Sequence, residues 1–341
     1  MRRHMNIGLV LPQSHRWCNG EALRQVGRIA DERGFHAIWA GDHLVAPLGP
    51  AENSRVIRSQ YQWMLAPGKP RPGPDTATAQ SFYGKENWFP EIYTTLSFLA
   101  GATRRARLGA ALVVVPYRHP VVQARMVATL DQLCGGRLIL GVGAGHVEYE
   151  ARAVGGAWAE RGEVTEEAIA LMKRMWASER TSFQGKHFQL DEVLTLGKPL
   201  QQPHPPLFYG GMAKPAIARA VRSCQGWLPT GTWLSSNELA EGVAFAREEA
   251  VRIGRTEPLQ FAMCYETRLA TGHPEPGPDA WGESYEPPKV RSADEAVASL
   301  KSYEAIGFST ANLMIDSPTL EDYLRQVNAV ADQVLPAFAT A

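Results

Sequence analysis

Cysteine is scarce and dispersed: the four residues Cys18, Cys134, Cys224 and Cys264 form no C-x-x-C pair and have no histidine at metal-ligand spacing. That pattern argues against a disulfide framework or a metal knuckle, and fits buried or free thiols in a reducing cytoplasm. No stretch approaches the roughly 20 consecutive apolar residues of a membrane span. Behind the basic start Met1–His4 there is no apolar segment of the kind a signal peptide carries, so Met5 reads as an alternative start and residues 1–4 as unstructured. Neither charge sign dominates: Lys+Arg and Asp+Glu both number 35, so nothing favours nucleic acid or an anionic membrane as a partner. Three motifs are also missing. Without H-E-x-x-H, G-x-S-x-G or a P-loop, zinc peptidases, serine hydrolases and Walker NTPases drop out. Glu148 and Glu150 stand only two residues apart and would not face each other across a sugar, which removes glycosidase chemistry.

What is present is an ordinary globular composition, 45% hydrophobic and 21% charged, in which short apolar runs alternate with helical patterns. Strands are expected at 6–11, 35–40, 106–115, 137–142, 207–209, 226–228, 259–265 and 310–315. The first helix opens at Asn19 as N-cap and stops at Gly34; others are expected at about 90–103, 120–133, 163–177, 215–221 and 237–253. Ser292-x-x-Glu295 reads as a capping box, and Ser317-Pro318 as an N-cap followed by proline at the first helical position. Residues 181–190 read as a small hairpin turning at Gln184-Gly185. Strands apolar on both faces imply a parallel sheet, and eight strand–helix units favour closure into a barrel over an open doubly wound sheet. No G-x-G-x-x-G follows the first strand, where a dinucleotide-binding open sheet would place it. The expected fold is therefore α/β, a (β/α)₈ TIM barrel forming one domain over residues 5–338.

Two proline-rich stretches, 44–89 after the second strand and 271–291 after the seventh, interrupt the rhythm. Both positions lie on the C-terminal face, where barrel active sites sit, so they read as lid or insertion loops. The same rule directs attention to the strand ends. Asp42-His43 follows the second strand; a histidine there can pass a proton near neutral pH, and Asp42 can orient it or meet a ring nitrogen, although a loop-capping histidine would look the same. Small residues inside the third strand (Gly109, Ala110, Ala111) indicate a bulge, a flat surface or merely a tight interior. Gly143-Ala144-Gly145-His146 after the fourth strand would let something planar or anionic approach the backbone. Gly210-Gly211-Met212 runs into a helix whose free N–H groups suit a phosphate. His119, His187 and His204 lie outside these positions and read as structural.

Several of these segments together resemble the luciferase-like family of flavin- and deazaflavin-dependent oxidoreductases. The matching stretches are Asn6–Pro12, Arg33-Gly34-Phe35 through Trp39 with Asp42-His43, Thr103–Pro120 and Leu130–Gly145. They continue in family order with Arg161-Gly162, Phe183-x-Gly185, Gly210-Gly211 and Gly226-Trp227. The resemblance implies a (β/α)₈ barrel in which Asp42 and His43 meet the pyrimidine edge of the ring, with His43 the proton carrier. It implies a non-prolyl cis peptide at Ala111–Leu112 behind the ring. Gly143, Gly145 and His146 would form a wall of the cofactor site, and Gly210, Gly211 and Met212 the loop near its phosphate. No metal is implied. One departure is His146, which stands where members that oxidise sugar phosphates carry a glutamate, so the resemblance does not extend to such substrates. Acid–base work then falls to Asp42, His43, His146 or a loop residue. Two chemistries share the scaffold: hydride transfer with coenzyme F420, which the 103–145 block and Asp42-His43 favour, and oxygen insertion with reduced FMN supplied by a flavin reductase. A non-catalytic flavin-binding subunit is a third reading. The resemblance further implies a small-molecule substrate and a homo-oligomer.

Overall fold

The computed structural model describes residues 4–45, 88–231, 234–276 and 290–339. Most of both insertions, 46–87 and 277–289, lies outside these residues, and so does the expectation that they are lids. Eight parallel strands close a barrel: β1 (Asn6–Val10), β2 (Ala37–Ala40), β3 (Arg107–Val114), β4 (Leu138–Gly143), β7 (Leu207–Gly210), β8 (Gly226–Leu228), β9 (Gln260–Glu266) and β12 (Thr310–Met314). Each pairs with its neighbour in chain order, and β12 returns to β1 through Asn6↔Thr310 to Val10↔Met314. Outside the barrel stand an antiparallel hairpin, β5 (Arg180–Gln184) with β6 (Gln189–Leu194), and a short parallel pair, β10 (Arg268–Leu269) with β11 (Val290–Arg291). The hairpin's second arm runs past the expected end at 190.

Helices α1 (Gly20–Arg33), α2 (Ile92–Ala102), α3 (Pro120–Leu133), α4 (Glu148–Ala153), α5 (Arg161–Ala177), α6 (Lys214–Ser223), α7 (Ser236–Arg252), α8 (Ala293–Ile306) and α9 (Leu320–Gln333) accompany the strands. Local chemistry sets several of their ends. Asn19 accepts the N–H groups of Glu21 and Ala22, and Gly34 closes α1 in the left-handed region at φ 78°, where a side chain would be strained. Ser292 and Glu295 form the expected capping box of α8. The last helix departs from expectation: its N-cap is Thr319, which accepts from the Asp322 N–H, and not Ser317. The reason is tertiary. Arg268 is buried and forks onto Asp322 at 2.7 and 2.8 Å, and it draws the Asp316 carbonyl and the Ser317 hydroxyl toward its remaining N–H groups. Ser317 is thereby committed before the helix starts.

Alternation along the strands sorts the apolar residues into two layers. Ile38, Ala40, Leu108, Ala110, Leu138, Leu140, Leu207 and Tyr209 join helix residues such as Leu96, Val127, Ile169 and Ile217 in the main core. The opposite faces (Ala37, Trp39, Ile139, Phe208, Leu228, Ala262 and Cys264) make a separate cluster that fills the barrel interior. Trp39 lies so close over Gly109 that a Cβ there would fall 2.1 Å from its ring, which gives the small residues of the third strand a packing role. The four cysteines are buried free thiols. Among the described residues no helix is long and apolar enough to cross a membrane.

Candidate active site

His43 stands just past the end of β2, at the C-terminal mouth of the barrel. Its Nδ1 lies 3.1 and 3.3 Å from the two carboxylate oxygens of Glu150. Glu150 belongs to α4, a short helix that the sequence patterning does not announce, and its side chain has no exposed surface. Besides His43 it accepts the Leu44 N–H at 2.7 Å, the Val45 N–H at 3.4 Å and the Tyr117 hydroxyl at 2.8 Å. Tyr117 reaches it from the single 3₁₀ turn Val115–Tyr117 that ends β3. Burial works against the Glu150 charge, but His43, the Leu44 N–H and Tyr117 outweigh it and hold the carboxyl below its ordinary value.

Asp42 faces the other way. Its two oxygens accept the Arg118 guanidinium fork at 2.7 and 2.9 Å, and one also takes the Val114 N–H at 3.0 Å. Arg118 donates further to Glu91 at 2.8 Å and lies 5.2 Å from the centre of the Tyr93 ring. Burial raises the Asp42 carboxyl above its ordinary value, and the Arg118 guanidinium offsets only part of that. For Arg118 itself burial opposes the charge and Asp42 more than offsets it, so the guanidinium keeps its proton. Orientation of His43 thus falls to Glu150, not to its sequence neighbour Asp42.

Two rings pack edge-on against His43: Phe89 at 5.1 Å and His146 at 5.9 Å between centroids. Burial, followed by the nearby His43, pushes the half-buried His146 imidazole down to about 4, so it is neutral at neutral pH. On the adjoining wall the Ala111–Leu112 peptide is cis, as the resemblance implies, and the β3–β4 register shifts between Ala110 and Val113. The bulge carries Leu112 across β4 and β7: a Cβ at Gly143 would meet its side chain at 2.8 Å and one at Gly210 at 2.0 Å. At Gly143 the expectation of a backbone bared to a ligand therefore changes, because Leu112 takes that space and presents its own surface instead. Gly145 and Gly211 have positive φ, 79° and 108°. The Gly211 carbonyl accepts from the Trp227 indole at 2.7 Å, and half-buried Met212 leads to α6, whose N-terminus has no side-chain cap. Arg161 donates to the Gly145 carbonyl at 3.4 Å and lies 3.9 Å over the Trp158 ring.

The fold thus brings His43 and His146 together, sets Ala111, Leu112, Gly143 and Gly210 on one wall, and turns Asp42 away from the histidine toward Arg118. Glu150, Tyr117 and Arg118 are the participants that sequence reasoning left without a role. A signal existed for two of them, since Tyr117-Arg118 follows Pro116 at the end of the third strand. A cleft of 410 Å³ lined by Asp31, Gly34, His36, Arg105 and Arg107 lies at the N-terminal ends of β2 and β3, the barrel end opposite His43. Barrel chemistry is not found at that end.

Residues 75–276 match the family model described as luciferase-like monooxygenase. Among characterised proteins the chain is similar to an FMNH₂-dependent dimethylsulfone monooxygenase of Pseudomonas putida, 31% identical over 179 residues, covering 50% of this chain and 49% of that protein. It is also similar to an F420-dependent hydroxymycolic acid dehydrogenase of Mycobacterium tuberculosis, 26% identical over 271 residues, covering 77% and 64%. The chain therefore spans between about half and just under two thirds of the length of these two relatives. Among solved structures it superimposes on the monooxygenase RslO1 of Streptomyces bottropensis with a TM-score of 0.74 at 18% identity, covering 98% of this chain and 100% of that one.

Proposed function

The chain belongs to the luciferase-like monooxygenase family, and from that premise we propose that it is an oxidoreductase working with coenzyme F420 on a small organic substrate held at the barrel mouth. The observation that carries this reading is the His43–Glu150 pair. One ring nitrogen rests on a buried carboxylate at 3.1 Å, which holds the ring in place for passing a proton to or from a substrate.

The residues of the mouth fit a flat ring with a phosphate-bearing tail. Leu112, seated over Gly143 and Gly210, would floor the ring together with Ala111, and His43 and His146 would meet its edge. Gly145 would turn the chain beside it, and Asp42 would act from behind through Arg118, its oxygens being already taken. Gly211, Met212 and the uncapped N-terminus of α6 would receive a phosphate through backbone N–H groups. Bound there, the deazaflavin supplies or accepts a hydride at its ring.

The second reading, reduced FMN and molecular oxygen, is favoured by the higher identity to the dimethylsulfone monooxygenase, 31% against 26%. It would require a separate flavin reductase as partner. A fluorescence and absorbance titration of the purified protein with F420 and with FMN, each oxidised and reduced, separates the two. Binding of F420 with little affinity for FMN is expected. Preference for reduced FMN with oxygen uptake would establish the second reading. Binding without turnover on any substrate would mark a non-catalytic subunit, and binding of neither would overturn the cofactor assignment.

A further inference from the structure

We propose that Glu150 is the positioning residue of this site: by accepting the Nδ1 proton of His43 it fixes which ring nitrogen carries that proton and how the ring is turned at the barrel mouth. The catalytic use of that ring rests on the reading of the site above; the placement of the proton on Nδ1 does not.

The argument starts from the hydrogen-bond inventory of the carboxylate. An ionised carboxylate can only accept. Oε1 takes the Leu44 N–H at 2.7 Å, Oε2 takes the Tyr117 hydroxyl at 2.8 Å, and His43 Nδ1 stands 3.1 Å from Oε2. With a backbone N–H and a phenol already pointed at it, a side chain with no exposed surface holds the charge rather than a proton. The nitrogen facing it must then carry the hydrogen. The same carboxylate grips the backbone immediately after His43, at Leu44 and Val45, so one group sets both the entry of the chain and the rotation of the ring.

The other groups around the ring reinforce this division. Glu150 faces His43 from α4. His146 faces it from the turn after β4, and Phe89 from the segment ahead of α2. Asp42 precedes it on the chain and is tied to Arg118. Both oxygens of the Glu150 carboxylate lie within hydrogen-bond distance of His43 Nδ1.

The test is nitrogen-15 NMR of the histidine rings in the protein without coenzyme, assigned by comparison with His43→Asn, followed by the same spectrum and steady-state kinetics for Glu150→Gln. Wild-type His43 is expected to show a proton on Nδ1. In Glu150→Gln, whose amide can donate as well as accept, the ring should populate the other tautomer as well. Turnover should drop on the order of 100-fold, the cost of misplacing a reacting group, with coenzyme affinity and KM little changed. Wild-type His43 carrying its proton on Nε2 overturns the proposal, and that reading needs no variant to fold. An unchanged tautomer and unchanged kcat in a folded Glu150→Gln protein overturn it as well. Failure of wild type to bind either coenzyme would instead sink the functional reading and leave the tautomer result standing.

Discussion

On the His43 side of the barrel mouth the buried carboxylates are tied to partners drawn from distant parts of the chain: His43 to Glu150, Glu150 to Tyr117, Asp42 to Arg118, Arg118 to Glu91. On the adjoining wall, formed by the ends of β3, β4 and β7, the shape comes from a bulge, two glycines and one leucine. The first region is held by electrostatics and hydrogen bonds whose partners must all be present, because a buried charge without one is expensive. The second is held by close packing, where volume and not charge decides the outcome. Substitutions should therefore act on the two regions by different mechanisms and with different remedies.

The largest effect is expected from Arg118→Ala. It strands the Asp42 carboxylate, whose side chain has no exposed surface, and frees Glu91. Removing one partner of such a pair costs about 3–5 kcal/mol, measurable as a lower midpoint in urea unfolding. A loss within about 0.5 kcal/mol, the range of ordinary surface changes, would mean that the Asp42–Arg118 pair is not the element holding this side.

Next comes Gly210→Ala on the wall. Its Cβ would fall 2.0 Å from Leu112 Cδ2, so the leucine must move, and overpacking of this kind costs about 1–3 kcal/mol. Adding Leu112→Ala should recover most of that loss, whereas the remedy for Arg118→Ala is removal of the stranded charge, as in Asp42→Asn. If the double variant is no better than the sum of its parts, the wall is not governed by the leucine–glycine contact.

The smallest effect is a pH slope. The folded His146 is pushed down to about 4 from an ordinary value of 6.5. Between those two values the unfolded chain binds more protons, so this residue makes stability fall as pH drops through the window. The contribution is at most about 1.4 kcal/mol per pH unit. His36, also pushed down to about 4 by burial and Arg107, acts in the same direction at the far end of the barrel. His146→Gln should therefore flatten the acid slope only in part. An unchanged slope would show that the His146 ring is solvated and does not belong to the buried edge.

The chain made much of the fold legible because the relevant forces act over a few residues. Asn19 and Gly34 bound the first helix by satisfying the N–H and C=O groups next to them, and the Ser292–Glu295 box does the same for α8. The apolar period tells strand from helix, and parallel strands joined by helices leave few topologies to choose from. Ser317 marks where local reading fails. As an N-cap it was the natural choice, until a buried arginine 49 residues earlier in the chain claimed it.

The site divides along the same line. His43, His146, Gly143, Gly210 and the Ala111–Leu112 peptide could be named from their places at strand ends, because in a barrel every strand end opens onto one mouth. Which of those groups meet could not. Glu150 lies 107 residues from His43, and Arg118 lies 76 from Asp42. A carboxylate two residues from another looks like any exposed helix start until closure of the barrel buries it. Sequence alone therefore determined the barrel strands, most of the helices, their order and most of the candidate side chains, since periodicity, caps and strand ends are local. Only the tertiary structure decided the pairing, because the cost of burying a charge selects a partner by distance in space and is blind to distance along the chain.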